Sequence, residues 1–163
     1  MARNSNLCVP ADRDLREEAF IHQSVGYWAS LLARSMEAEF GHRLAPYGLT
    51  RMSYAVLGAM VFDGKSTPSG IADFLRVDRG AVTRFLNRLE AKKLIERERG
   101  TGDRRSVAII VKPEGEALAK ELQAHSRAVN ARFTADLGPE GAGKFVDLVK
   151  AMLAHADTRP DSL

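Results

Sequence analysis

Apolar residues recur along most of this chain at helical spacing, and over one stretch the period shortens to two. In 67–75, Ile71, Phe74 and Leu75 define a short helix, with Thr67 as N-cap and Pro68 at the first helical position. Val77-Asp78 interrupts, and Asp78 can cap a second helix from Arg79 to about Lys92. Val82, Phe85, Leu86 and Leu89 then follow the i, i+3, i+4, i+7 pattern, so one stripe is buried. From Ile95 the pattern alternates: Ile95, Arg97 and Arg99 against Glu96 and Glu98, with Val107 to Val111 rich in β-branched residues. Two strands are predicted, joined by the tip Gly100-Thr101-Gly102-Asp103-Arg104-Arg105.

Helices flank this unit on both sides. Residues 17–44 carry Phe20, Ile21, Val25, Trp28, Leu31, Leu32, Met36, Phe40 and Leu44, apolar on more than one side of a long helix. Pro46 and Gly48 break it, and Thr50 caps the next, whose Val56, Leu57 and Met60 face inward. Asp63-Gly64-Lys65-Ser66 forms the following turn, where Gly64 can take a positive φ. After the strands, Pro113 starts a helix with Glu114 and Glu116 in its first turn, favourable for the helix dipole. It continues through Leu118, Leu122, Val129 and Phe133 until Gly138-Pro139 ends it. A last helix carries Phe145, Val146, Leu148, Val149, Met152 and Leu153. The predicted fold is mainly α with a small β-hairpin wing.

Charge gives the central unit a chemistry. Opposite its buried stripe, the second short helix presents Arg79, Thr83, Arg84, Asn87 and Arg88, side chains that pair with phosphates and with base edges in a major groove. A helix-turn-helix with its second helix in DNA is the simplest reading. Arg104 and Arg105 at the hairpin tip can enter a minor groove, and Asp103 can hold one of them in position. From Arg76 to Arg105 there are ten Lys/Arg and five Asp/Glu, a local +5, while the whole chain carries only +3. Positive charge is concentrated where a polyanion would dock.

The strings LTRMSYAVL, SGIADFLRVDRGAVTRFLNRLEAKKLIER, GDRRSVAIIV and KPEG, in this order and spacing, resemble the MarR family of winged-helix transcription regulators. The resemblance covers about residues 20–155. Lys93 stands where the family usually has a helix-ending glycine, Lys112 where it has threonine, and Ala55 where arginine is frequent. The first two alter capping and the third an internal polar contact; none removes the DNA-reading face. Residues 1–16, polar and mixed in charge, are expected to form a flexible arm. The resemblance implies a winged helix-turn-helix over 47–112 and dimerisation helices over 17–46 and 113–157. It implies a homodimer on a pseudo-palindromic operator, whose two recognition helices must lie roughly 34–36 Å apart. It also implies a small aromatic acid or phenol as effector, bound between the dimerisation helices and the winged-helix lobe. Candidates for that pocket are His22, Tyr27, Trp28, Arg51 and Tyr54, with rings to stack on a ligand and cations to pair its carboxylate.

The remaining composition narrows the alternatives. A length of 163 residues with 45% apolar content supports a single domain with a real core. No run of about 18 apolar residues suggests a membrane span, and no apolar leader is apparent, so a cytoplasmic protein is expected. The single cysteine, Cys8, excludes an internal disulfide framework. It offers a redox switch as an alternative, although the family's peroxide-sensing cysteine would fall near Gly26 or Tyr27. His22, His42, His125 and His155 lack metal-ligand spacing, and no P-loop, dinucleotide fingerprint or nucleophile elbow occurs. No enzyme, metal or cofactor is expected. A winged-helix module that binds protein instead of DNA is the other alternative.

Overall fold

The computed structural model describes residues 20–99 and 107–154. A single 3-10 turn, Phe20–Gln23, precedes α1 (Val25–Leu44), and a second, Ala45–Tyr47, follows it. Then come α2 (Arg51–Val61), α3 (Pro68–Leu75), α4 (Arg79–Ala91), strands β1 (Ile95–Arg99) and β2 (Val107–Val111), α5 (Pro113–Phe133) and α6 (Gly138–Ala154). The chain divides into two units, Met1–Ser35 and Met36–Leu163, with the division inside α1.

Caps set most of these boundaries. Thr50, Thr67 and Asp78 each accept a hydrogen bond from the backbone N–H three residues on, the bond expected of an N-cap. The long helix predicted over 17–44 is not continuous. Ser24 Oγ accepts from the Tyr27 N–H at 3.3 Å, so Ser24 starts α1 and the residues before it form the separate turn. The other correction concerns Gly138-Pro139: α5 ends at Phe133, a turn over Ala135–Leu137 follows, and Gly138 opens α6. Thr134 follows the end of α5, with its hydroxyl donating to the Asn130 carbonyl at 2.9 Å.

Within the larger unit, α2 is central and packs against α3, α4 and α5. Val56 and Leu57 of α2, Ile71 of α3, Val82, Leu86 and Leu89 of α4, and Leu122 and Val129 of α5 are buried together. The strands pair antiparallel, with Ile95 opposite Val111 and Arg97 opposite Ile109. Ile95 and Ile109 face inward and are buried, which seats the hairpin on α4. The Ile109 N–H also donates to the Ser66 carbonyl at 2.7 Å, fastening β2 to the turn before α3. At Gly115, α5 lies directly against the residue that leads into β1. A Cβ there would lie 2.2 Å from the Leu94 carbonyl oxygen, closer than any side chain tolerates.

Among the described residues, no helix is long and apolar enough to cross a membrane.

Candidate nucleic-acid interface

The turn from α3 to α4 sets the angle at which α4 is presented. Arg76 closes α3 in the left-handed conformation, with φ 55°, and the Val77 N–H donates back to the Ala72 carbonyl at 3.0 Å. Asp78 Oδ2 then accepts from the Ala81 N–H at 2.7 Å and starts α4 one residue later. Burying Val82, Leu86 and Leu89 on one side turns Arg79, Thr83, Arg84, Asn87 and Arg88 outward, and all five are exposed. Among the described residues none of these three arginines is in an ion pair. Arg88 lies over the Phe85 ring at 5.9 Å, a contact that supports the guanidinium without neutralising it. Thr83 donates its hydroxyl to the Arg79 carbonyl at 3.0 Å, so only its lone pairs and methyl group face outward. Asp103, Arg104 and Arg105 lie outside the described residues, as does Cys8.

The strands contribute a residue that the sequence had placed only in the strand alternation and in the local charge. Arg97 Nη2 donates to Asn87 Oδ1 at 2.6 Å, and its Nη1 lies 3.0 Å from Glu90 Oε2. One β1 side chain thus joins the hairpin to the exposed face of α4. The signal was present in the alternation, since Arg97 is two residues from Ile95 and shares its inward face.

The proposed ligand residues fall into two groups. In the residue 1–35 unit, His22, Tyr27 and Trp28 cluster with ring centroids 5.3–5.7 Å apart. Trp28 Nε1 donates to the His22 carbonyl at 2.7 Å. In the larger unit, Arg51 and Tyr54 line a cavity of about 270 Å³ with Met36, Phe40, Ala55, Ser126, Val129 and Asn130. Tyr54 meets Phe40 edge-on at 5.1 Å. Burial pushes the Tyr54 phenol above its ordinary value of 10.0, opposed by a hydrogen bond with Ser126 and the positive charge of Arg127. Arg51 is ion-paired with Glu37, so a carboxylate arriving there would compete with that pair. Ala55, one of the departures from the family pattern, sits in the cavity wall. Among the described residues no group of three His, Cys, Asp or Glu is placed to hold a metal.

Helix, turn, capped second helix and hairpin together define a winged helix-turn-helix protein. The MarR family model matches residues 47–106. The transcriptional repressor MdtR of Bacillus subtilis is 31% identical over 127 residues, 78% of this chain and 82% of that protein. By fold, the chain is similar to the MepR–DNA complex of S. aureus, with a TM-score of 0.73 and 22% identity over 80% of this chain and 97% of that one. It is likewise similar to CouR of Rhodococcus jostii RHA1 bound to p-coumaroyl-CoA, with a TM-score of 0.74 and 18% identity over 86% and 99%. The chain belongs to the MarR family. It is a DNA-binding transcriptional regulator, not an enzyme.

Proposed function

We propose that this protein is a homodimeric, sequence-specific repressor that grips a pseudo-palindromic operator and is released by a small aromatic carboxylate or phenol. The observation that carries the reading is the exposed face of α4: Arg79, Thr83, Arg84, Asn87 and Arg88 over a buried stripe, with no carboxylate neutralising the arginines among the described residues. Such a face offers donors to phosphates and to guanine N7 and O6. In this reading residues 47–112 read DNA, with α4 in a major groove and Arg104 and Arg105 in the adjoining minor groove. Residues 17–46 and 113–157 join two copies. MdtR is a repressor, MepR is seen with DNA, and CouR with a ligand that carries an aromatic acyl group. The cavity between α1, α2 and α5 has room for one ring and a short polar tail. A ligand there acts only by its different affinity for the DNA-competent and DNA-incompetent arrangements of the dimer.

Mobility shift with the duplex upstream of the protein's own coding region tests the reading. Arg84→Ala should cost roughly 1–3 kcal/mol and relax preference at particular bases. Arg104→Ala and Arg105→Ala should weaken binding broadly, and affinity should fall steeply with salt. Unchanged affinity in all three variants would overturn the contact assignment. For the effector, aromatic acids that raise the melting temperature should also dissociate the complex.

A further inference from the structure

Arg97 holds a position that a cation does not take without cause. It faces inward on β1 beside the buried Ile95 and opposite the buried Ile109. Its side chain is 29% exposed, and its head lies against α4, where it spans Asn87 and Glu90. A guanidinium has donors only, so the Asn87 atom that meets it must be the carbonyl oxygen. Asn87 is therefore held with Oδ1 towards the hairpin, and its NH2 group is the end left for a ligand. Glu90 fixes the other guanidinium nitrogen and keeps Arg97 from swinging out to a phosphate.

We propose that Arg97 is a positioning residue that makes Asn87 a donor-only reader of bases, and so selects guanine over adenine at one operator position. The inference rests on the reading that α4 lies in the major groove. An unrestrained asparagine favours adenine, because it accepts from N6 while donating to N7. Arg97 takes one of the two Oδ1 lone pairs and turns the oxygen towards the hairpin, so the paired adenine contact loses its alignment and is disfavoured. The remaining NH2 meets two adjacent acceptors on guanine, N7 and O6, but on adenine meets one acceptor and an opposing amino group. Releasing Arg97 frees the oxygen and should return the preference to adenine.

The test selects duplexes from a random-sequence library with the full-length protein. Anisotropy titrations of the selected site then follow, with each base in turn at the position whose preference disappears in Asn87→Ala. The wild type should favour guanine over adenine there by about tenfold. Arg97→Met, which keeps the apolar stem and removes the donors, should erase or reverse that ratio and leave other positions unchanged. Arg97→Lys, which still offers a donor to Oδ1, should keep guanine in favour. In an Asn87→Ala background, Arg97→Met should have no further effect at that position. If Arg97→Met does not fold, Glu90→Gln loosens the same tether from the α4 side and must narrow the ratio. The proposal is overturned by an adenine preference in the wild type, by a ratio insensitive to these changes, or by a selected site with no Asn87-dependent position. A uniform loss of affinity across sequences would also overturn it. A wild-type protein that enriches no sequence at all would instead overturn the major-groove reading beneath it.

Discussion

Lys93 carries a φ of 60° at the end of α4, a conformation that costs a side-chain-bearing residue roughly 1–2 kcal/mol. Its N–H donates to the Glu90 carbonyl at 2.8 Å, and the Leu94 N–H to the Leu89 carbonyl at 3.0 Å, which together form a Schellman motif. The family's usual glycine at this position therefore has a physical reason. Lys93→Gly should remove the strain and add back about 0.4–1 kcal/mol of unfolded-chain entropy, for a net gain of about 0.5–1 kcal/mol. A higher urea midpoint with an unchanged m-value would register it. Gly115 argues the opposite way: Gly115→Ala should lower that midpoint severely, since the Leu94 carbonyl cannot move without disturbing the hairpin. Tyr54 links stability to pH. Its phenol is raised in the folded state, mainly by burial, so this contribution is complete below the ordinary value of 10.0 and is lost as pH rises through the folded-state value. Tyr54→Phe should flatten that alkaline fall in denaturant midpoint; an identical slope in the variant would assign the fall to other groups.

At the scale of elements, α4 depends on its first turn. Asp78 satisfies the Ala81 N–H, and without it the turn carrying Arg79 has no side-chain cap. Asp78→Ala should cost about 1 kcal/mol of stability and weaken DNA binding by more than Ala substitution of Arg79 alone, read as chemical denaturation beside anisotropy. Much of α4 was legible in the sequence because cap, apolar stripe and polar face all agree on one helix. The two strands followed from Ile95, Arg97 and Arg99 alternating with Glu96 and Glu98, while their register came from the structure. The destination of Arg97 did not follow, because it depends on where Asn87 and Glu90 lie across a packed interface. Ser24 was passed over as a cap because the apolar spacing runs on through it from Phe20. The turn before α6 was misread because Gly138 at φ 64° serves as readily before a helix as after one.

At the scale of the molecule, the last helix has no buried residue, and Phe145, Val146, Leu148, Val149, Met152 and Leu153 are all substantially exposed. In the residue 1–35 unit, Phe20, Val25 and Trp28 are exposed as well. The proposed homodimer would cover such surface. Leu148→Glu, at a residue 66% exposed, should leave the monomer folded by circular dichroism, halve the mass in sedimentation and abolish tight operator binding. A dimer that survives this change would move the interface elsewhere.

The sequence alone determined the helices apart from the start of α1 and the end of α5, the hairpin, and the face of α4 that carries positive charge. These are set by local periodicity, by caps and by charge within a few neighbouring residues. Only the tertiary structure decided that Arg97 grips Asn87, that Gly115 lies against the Leu94 carbonyl, and that Arg51 and Tyr54 of α2 share one cavity with Phe40 of α1 and Ser126 of α5. Those pairings join residues on separate elements, and their distances come from the packing of the core, which no local pattern encodes.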